Sequence, residues 1–448
     1  MPTAARRLTP AQLLALSIAT LVGFGTLLLR LPLSAARQPL SLVDAFFTAT
    51  SAVCVTGLIV VDTPVDLSLF GQTVVLVLIQ AGGLGYMAIT TVVAAALGRQ
   101  LTVHERLTLQ EALNLETMDG LIHFTLSVFR MTLAFELVGA AILAARWVGD
   151  FGPARGLYFA LFHAVSAFNN AGFSLFSDNL ARFRADPVVV LVTGALIVAG
   201  GLGFVVLSEL RHFTRARRLT AHTRLVLVLS GALVLGGAGL IWGIEAGNPR
   251  TLGPLPPVER MLAACFQSVS ARTAGFNTID VGAMAPASLF ILILLMFIGA
   301  SPGGTGGGVK TTTFAITVGA LWNMVRGGED PTIFRRRVAP MVVARAFFIS
   351  LIAFLAVNGI ALVLLLTEGR DLLPTLFETT SAFGTVGLST GESGSVLSLA
   401  GHFTPVGKLL VTAMMFMGRV GPLTLAVAVA RRSSAARLRY PEGRFLVG

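Results

Sequence analysis

Phe47-Thr48-Ala49-Thr50-Ser51-Ala52-Val53-Cys54-Val55-Thr56-Gly57-Leu58 is the first of four stretches in this chain that end alike. Each opens on a Phe, passes small residues that include a Ser, and closes on a Gly followed by an apolar residue. The second runs from Phe162 through Ser166 and Asn169-Asn170-Ala171 to Gly172-Phe173. The third runs from Phe266 through Ser270 and Arg272-Thr273-Ala274 to Gly275-Phe276. The fourth runs from Phe377 through Ser381 and Gly384-Thr385-Val386 to Gly387-Leu388. From Phe to Gly the spacing is ten residues in copies one, two and four, and nine in copy three. One such ending beside an apolar run is a common loop. Four of them, each between two long apolar spans, can surround one axis. A ring of backbone carbonyls replaces the water shell of a dehydrated monovalent cation without fixed charge. A glycine at the last loop position admits the backbone angles that aim those carbonyls inward. The pattern points to an ion-conducting pore.

The composition sets the solvent. The 448 residues are 54% hydrophobic and only 12% charged, with a mean hydropathy of +0.81. A soluble domain carries about 25% charged residues, so this chain is expected to be an integral membrane protein. The first apolar stretch, 11–29, is long enough to span and no small-residue cleavage site follows it, so it reads as a retained helix. The net charge of +11 does not point to nucleic acid, because of where the basic residues sit. They gather at alternate connections: Arg6 and Arg7; Arg99 and Arg106; the segment from Arg211 through Arg217 and Arg218 to Arg224; Arg326, Arg335, Arg336, Arg337 and Arg345; and the tail from Arg431. The opposite connections are sparser, with Arg146, Arg155, Arg182 and Arg184. This positive-inside pattern places both termini in the cytoplasm, with the chain in the cytoplasmic membrane. Cys54 and Cys265 are the only cysteines, and no disulfide framework is indicated.

A unit of about 100 residues repeats, and each copy holds a long apolar span, a short apolar piece and a second long span. The long spans fall near 11–29 and 70–97, 121–148 and 187–209, 224–246 and 286–324, and 339–366 and 405–430. The short pieces fall near 42–52, 156–168, 258–270 and 372–382. Roughly 20 apolar residues cross a bilayer and 10–14 do not, so the short pieces enter and leave on one side. Non-helical backbone at that depth survives only where protein or a water-filled cavity satisfies it. The expected architecture is all-α: four membrane–pore–membrane repeats in pseudo-fourfold array, with eight spanning helices and four re-entrant pore helices. The repeats are bounded at 1–100, 101–212, 213–328 and 329–430, and a basic cytoplasmic tail occupies 431–448.

The second spans carry glycines at matching places: Gly82-Gly83-Leu84-Gly85-Tyr86, Gly200-Gly201-Leu202-Gly203-Phe204 and Gly418-Arg419-Val420-Gly421-Pro422. In the third repeat the interruption is far longer, from Gly299 through Ser301, Pro302, Gly303, Gly304, Thr305, Gly306, Gly307 and Gly308 to Lys310. So many glycines with a proline cannot hold a helix. That span is expected to break into two halves joined by an irregular loop, which reads as a gate across the pore below the filter. A phosphate-binding P-loop is not indicated, since Val309 separates Gly308 from Lys310. Arg419 lies mid-span, where a charge faces a cavity or a partner. It either opposes cations and holds the gate loop, or packs on backbone carbonyls alone. Lys310 and Glu209 end their spans and are expected to snorkel or cap. Arg272 is expected to point away from the filter and brace the loop, with Glu378 or Asp44 as partner. Asn169 and Asn170 are either filter wall or buried braces.

At these residues the chain resembles the Trk/Ktr/HKT superfamily of potassium transporters, and within it the membrane subunit of a bacterial Ktr or Trk system. The resemblance spans about 10–430. Its most specific parts are Val53-Cys54-Val55-Thr56-Gly57-Leu58, Ala271-Arg272-Thr273-Ala274-Gly275-Phe276-Asn277-Thr278, and residues 299–313. It implies a K+ filter at the four loops: Cys54, Val55, Thr56 and Gly57; Asn169, Asn170, Ala171 and Gly172; Thr273, Ala274 and Gly275; and Gly384, Thr385, Val386 and Gly387. It implies a gate at the third-repeat loop, a pore arginine at Arg419, and a homodimer seated on a cytosolic nucleotide-binding regulatory ring. Glycine at all four filter positions resembles the K+-selective members, whereas a serine at the first goes with Na+ conduction in some plant relatives. The length resembles the shorter Ktr type, which lacks extra N-terminal helices. The basic connections either dock such a ring or anchor to anionic lipid; the resemblance favours the ring. The expected function is K+ uptake by a channel-like transporter with no organic cofactor. The rival is a secondary transporter with a midplane site, which needs paired broken spans and intramembrane carboxylates; Glu136 is the one carboxylate near a span centre. An enzyme is not indicated, because His104, His123, His163, His212, His222 and His402 are scattered.

Overall fold

Caps and breakers in the sequence fix where the helices begin and end. Thr9 and Gln12 form a reciprocal capping box, and Pro10 supplies the first-turn proline that starts α1 (Pro10–Arg30). Ser41 caps α2 (Leu42–Val53) and Ser68 caps α3 (Leu69–Leu84). There follow α4 (Leu121–Phe151), α5 (Pro153–Phe168), α6 (Pro187–Leu202) and α7 (Phe204–Ala216). Thr220 caps α8 (Ala221–Glu245), and α9 (Pro257–Ser270), α10 (Pro286–Phe297) and α11 (Thr311–Val325) come next. A small hairpin, β1 (Thr332–Ile333) and β2 (Arg336–Arg337), leads into α12 (Pro340–Glu368). The rest is α13 (Leu372–Gly384), α14 (Pro405–Val420) and α15 (Pro422–Val429). This computed structural model describes residues 9–85, 121–216, 218–328, 330–392 and 395–429. Arg6, Arg7, Tyr86 and the rest of the first repeat's second span to 97, Gly98, Arg99, His104, Arg106, Arg217 and the tail from 431 lie outside the described residues.

The short apolar pieces are helices α2, α5, α9 and α13, within a few residues of their expected bounds. Among the described residues, four helices are long and apolar enough to cross a bilayer alone: α1, α4, α8 and α12. The second spans are built differently from the expectation of one broken span. α6 and α7 form a pair bent by 105° at Gly203. α14 breaks into α15 at Gly421, and α3 stops at Gly85. These three glycines hold φ of +79° to +94°, a backbone that turns a helix aside and that a side chain disfavours. The long break in the third repeat is present as expected: residues 298–310 leave the helix between α10 and α11.

Close approach explains the preceding glycines. A Cβ at Gly82 would lie 2.0 Å from the carbonyl oxygen of Val53; at Gly200, 1.8 Å from that of Phe168; at Gly418, 1.8 Å from that of Phe383. Matching positions in three second spans thus abut the ends of three of the short helices. In a bilayer such van der Waals contact, rather than expulsion of water, holds helices together.

The apolar interior closes into a ring. One buried cluster joins α1, α2 and α3 to Phe162, Val165 and Phe173. A second joins α4, α5 and α6 to Phe266, Ala274 and Phe276. A third joins α8, α9 and α10 to Phe377, Val386 and Leu388. A fourth joins α12, α13 and α14 back to Phe47, Cys54 and Leu58. Large apolar residues point outward from the long helices instead, among them Phe24, Leu27, Val138, Leu235, Leu355 and Leu362. An apolar belt of this kind suits a lipid surround and not water.

Candidate functional site

The four short helices end beside one another, and the chain after each one turns through the same backbone. Left-handed residues alternate with right-handed or extended ones: Val55 and Gly57 (φ +57° and +90°), Asn170 and Gly172 (+59° and +70°), Thr273 and Gly275 (+86° and +77°), Thr385 and Gly387 (+50° and +92°). Left-handed backbone at Val55, Thr273 and Thr385 is unusual for β-branched residues and costs about 1–2 kcal/mol each. Such strain persists where the surroundings over-determine the conformation.

The glycines touch in cyclic order. A Cβ on Gly57 would meet the Ala171 carbonyl oxygen at 2.5 Å and Gly172 Cα at 2.9 Å; on Gly172, the Ala274 oxygen at 2.9 Å and Gly275 Cα at 3.0 Å. On Gly275 it would meet the Val386 oxygen at 2.4 Å and Gly387 Cα at 3.2 Å; on Gly387, the Thr56 oxygen at 2.1 Å and Gly57 Cα at 3.0 Å. The four loops therefore close a ring with no room for a side chain at its last positions.

One serine per loop holds this backbone. Ser51 Oγ accepts from the Gly57 amide (3.1 Å) and donates to the Leu58 carbonyl (2.8 Å). Ser166 Oγ donates to the Phe173 carbonyl (2.7 Å), Ser270 Oγ to the Phe276 carbonyl, and Ser381 Oγ accepts from the Gly387 amide (3.1 Å). The amides of Thr56, Ala171, Ala274 and Val386 donate back to the carbonyls of those same serines at 2.8–2.9 Å. With the amides tied to the short helices, the carbonyls of Thr56, Ala171, Ala274 and Val386 are left to face their neighbours in the ring. The sequence reading missed this role, although the serine stands six residues before the glycine in three copies and five in the other.

The polar side chains in the loops face away from the ring. Asn169 Nδ2 donates to Glu136 Oε1, Gln80 Oε1 and the Val165 carbonyl, each at 2.9 Å, and Gln80 Nε2 donates to Glu136 Oε2 at 3.2 Å. Asn170, with its amide turned to satisfy its neighbours, donates to the carbonyls of Ala167 (3.2 Å) and Ile197 (3.1 Å). Of the two readings, buried brace is the one the contacts bear out. Arg272 also braces, but its expected carboxylate partners are wrong. It donates to the carbonyls of Ser230 and Gly299, both at 3.4 Å. Glu378 is occupied by Ser389 Oγ (2.6 Å) and the Ala400 amide (2.9 Å), and Asp44 by Lys408 (2.7 Å).

The Gly-rich break lies directly against the ring. A Cβ on Gly306 would lie 2.1 Å from Thr273 Oγ1, and the Gly307 amide donates to Thr385 Oγ1 at 2.9 Å. The break is pinned from all sides. Ser301 and Thr305 donate to the carbonyls of Gly201 (3.0 Å) and Gly200 (3.1 Å), Gly308 donates to Gly418 (3.3 Å), and Phe204 donates to the Gly303 carbonyl (3.0 Å). Pro302 packs its carbonyl under Gly203. Arg419 donates to the carbonyls of Thr305, Gly82 and Gly83, so one guanidinium ties the break to the end of α3. Lys310 neither snorkels nor caps. Its ammonium turns back to the Gly306 carbonyl at 2.6 Å. Glu209 does serve a helix start, accepting from Thr220, the N-cap of α8. A cavity of about 770 Å3 opens on the far side of the ring, lined by Gly57, Gly172, Gly275 and Gly387. A second, of about 580 Å3, lies beneath it against Gly303, Gly304, Gly306, Gly308, Lys310 and Arg419. The arrangement can hold a dehydrated cation among backbone oxygens, with an obstruction on one side.

A family profile described as TrkH, cation transport protein, matches residues 17–438. The chain is 40% identical over 444 residues to the "Ktr system potassium uptake protein B" of Bacillus subtilis, covering 99% of this chain and 97% of that one. It is 39% identical to the protein of the same description from Vibrio alginolyticus, covering 91% of this chain and 89% of the relative. The crystal structure of the potassium transporter TrkH from Vibrio parahaemolyticus has the same fold, with a TM-score of 0.73 at 19% identity over 96% of this chain and 86% of that one.

Proposed function

The chain belongs to the TrkH family of cation transport proteins, and on that premise we propose that it takes up K+ through one pore per chain. It is a membrane transporter and not an enzyme. The observation that carries the reading is the closed ring of Gly57, Gly172, Gly275 and Gly387, each backed against the next loop's backbone. Carbonyls held by their own pore helices replace the ion's hydration shell without reorganising. In this reading the filter comprises residues 54–57, 169–172, 273–275 and 384–387, and the four repeats follow the boundaries given above. The loop 299–310 with Arg419 is the gate, and K+ is the substrate. The protein works as a homodimer in the cytoplasmic membrane, both termini inside, on a cytosolic nucleotide-binding ring. The description of the Bacillus and Vibrio relatives as parts of a Ktr system supports a partner component.

The secondary-transporter reading asks for broken spans and intramembrane carboxylates. The bend at Gly203 and the buried Glu136 and Glu378 speak for it. Both carboxylates, however, are occupied by hydrogen bonds behind the loops and neither lines either of the two cavities on the pathway, so passive conduction is favoured. The test is ion flux in liposomes with K+, Rb+ and Na+ compared. K+ and Rb+ flux that follows the electrochemical gradient, with Na+ excluded, is expected. Equal Na+ passage removes the filter, and K+ accumulation against its gradient establishes coupling instead.

A further inference from the structure

The two cavities of this pathway carry opposite charge. Asp62, Asp178, Asp280 and Glu392 line the outer one with Arg250, while Arg182 and Arg370 pair with Asp178 and Glu392 from outside the lining. The inner one is lined by Lys310, Arg345 and Arg419, with no carboxylate among the described residues that line it. A cation leaving the glycine ring inward meets three positive side chains. Backbone carbonyls hold Lys310 and Arg419 but bring no net charge. In low-dielectric surroundings that concentration of like charge is costly unless an anion shares the space.

The cavity is built for one kind of anion. Arg345 stands exposed in the second turn of α12, without an ion-pair or hydrogen-bond partner among the described residues. α11 starts at the cavity with no side-chain cap on its first turn. The Thr311 amide is taken by the Ala300 carbonyl, while Thr312 and Thr313, which line the cavity, present first-turn amides with no helical acceptor. Free amides at a helix start, glycine backbone, a lysine and an arginine together match a phosphate. The lining also has an apolar part: Leu14, Ile18 and Leu21, which share one face of α1, and Ile349 of α12.

Resting on the pathway proposed above, we infer that the inner cavity takes the phosphate of an anionic phospholipid. The headgroup sits between Lys310, Arg345 and the first turn of α11, and an acyl chain lies along Leu14, Ile18 and Ile349. The bound phosphate lowers the net positive charge of the inner cavity and eases cation exit.

The test uses the purified full-length assembly. Native mass spectrometry after incubation with dioleoylphosphatidylglycerol or dioleoylphosphatidylcholine should show phosphatidylglycerol retained by the parent and lost in Arg345→Gln. K+ flux should be roughly fivefold higher in vesicles containing phosphatidylglycerol than in phosphatidylcholine alone. Arg345→Gln should flatten that dependence. Arg326→Gln, which removes a guanidinium stacked 4.7 Å over Trp322 outside the cavity lining, should keep it. Equal phosphatidylglycerol retention by parent and Arg345→Gln overturns the site. Retention of inorganic phosphate, undisplaced by phosphatidylglycerol, overturns the lipid assignment and gives the site to a soluble phosphate. K+/Na+ discrimination measured in the same vesicles stands apart, since its loss would refute the filter and not the lipid site.

Discussion

Gly57 shows how much one residue carries. Its φ of +90°, and the 2.5 Å that would separate a Cβ there from the Ala171 oxygen, make any side chain there both strained and obstructed. Gly57→Ser must push loop one against loop two, at a cost of about 1–3 kcal/mol in the ring geometry. Discrimination between K+ and Na+ should fall roughly tenfold by that estimate. Gly239→Ser, where a Cβ meets nothing within 4 Å, should leave it intact; ion flux in liposomes separates the two. Ser51→Ala removes both bonds of its hydroxyl and should weaken selectivity in the same direction by a comparable amount, about 1–3 kcal/mol for a buried amide left unsatisfied. The glycines were legible in the sequence because four copies align. The braces behind them were not. Asn169, Glu136 and Gln80 come from separate parts of the chain and form one hydrogen-bonded triangle. Nothing in local spacing connects residues 33 to 89 positions apart.

The short helices and the Gly-rich break were legible at the scale of elements, since length, glycine density and a proline decide them locally. The bends at Gly203 and Gly421 were not. A single glycine inside an apolar run reads as a packing site, and only the third repeat's loop packing beneath Gly203 shows why the chain turns there. The same packing refines the proposed gate. The loop does not hang free below the ring; it is held by carbonyls of α6 and α14 and by Arg419. Arg419→Ala should therefore release the loop and also remove a fixed charge near the cation path. K+ flux per folded protein should rise at least tenfold, by the roughly 1.5–3 kcal/mol of a charge-assisted hydrogen bond. Thr305→Ala, which loses a hydroxyl 3.3 Å from both the Phe168 carbonyl and the turned Asn170 amide oxygen, should raise it less. Because neither change replaces a residue of the ring, K+ should still be preferred over Na+. If both variants fold normally and conduct no more than the parent, the loop is structural and the gate lies elsewhere.

Topology and docking belong to the whole molecule. Asp178 and Asp280 are exposed at the outer cavity, whereas Asp62 is buried against Ser177. A cysteine introduced at Asp280 should therefore react with an impermeant reagent from outside the cell, and labelling only from inside would reverse the orientation. The hairpin β1–β2 lies in a basic connection expected on the opposite side. Its tip is Phe334-Arg335, both left-handed with φ of +48° and +62°. Two-residue hairpin turns of this hand ordinarily take Asn-Gly or Asp-Gly, so a bulky pair there is held at a conformational cost. Phe334 and Arg335 are exposed, and so is Arg336, while Arg337 is paired with Asp330 at 2.9 Å. An apolar tip flanked by free positive charge suits an acidic protein surface. In that reading Arg337 shapes the hairpin, and Arg335 and Arg336 make the contact. Reversing Arg335 and Arg336 to Glu should reduce co-purification with the cytosolic ring by about fivefold for each exposed ion pair lost, an upper value for such pairs. Arg335→Gly isolates the charge from the backbone. Glycine accepts a φ of +62° without strain, so the hairpin should hold or tighten while ring recovery falls. Membrane insertion and the K+/Na+ preference should not change in either variant. Full recovery of the complex with both arginines reversed would remove this hairpin from the interface and leave anchoring to anionic lipid as the role of its charge.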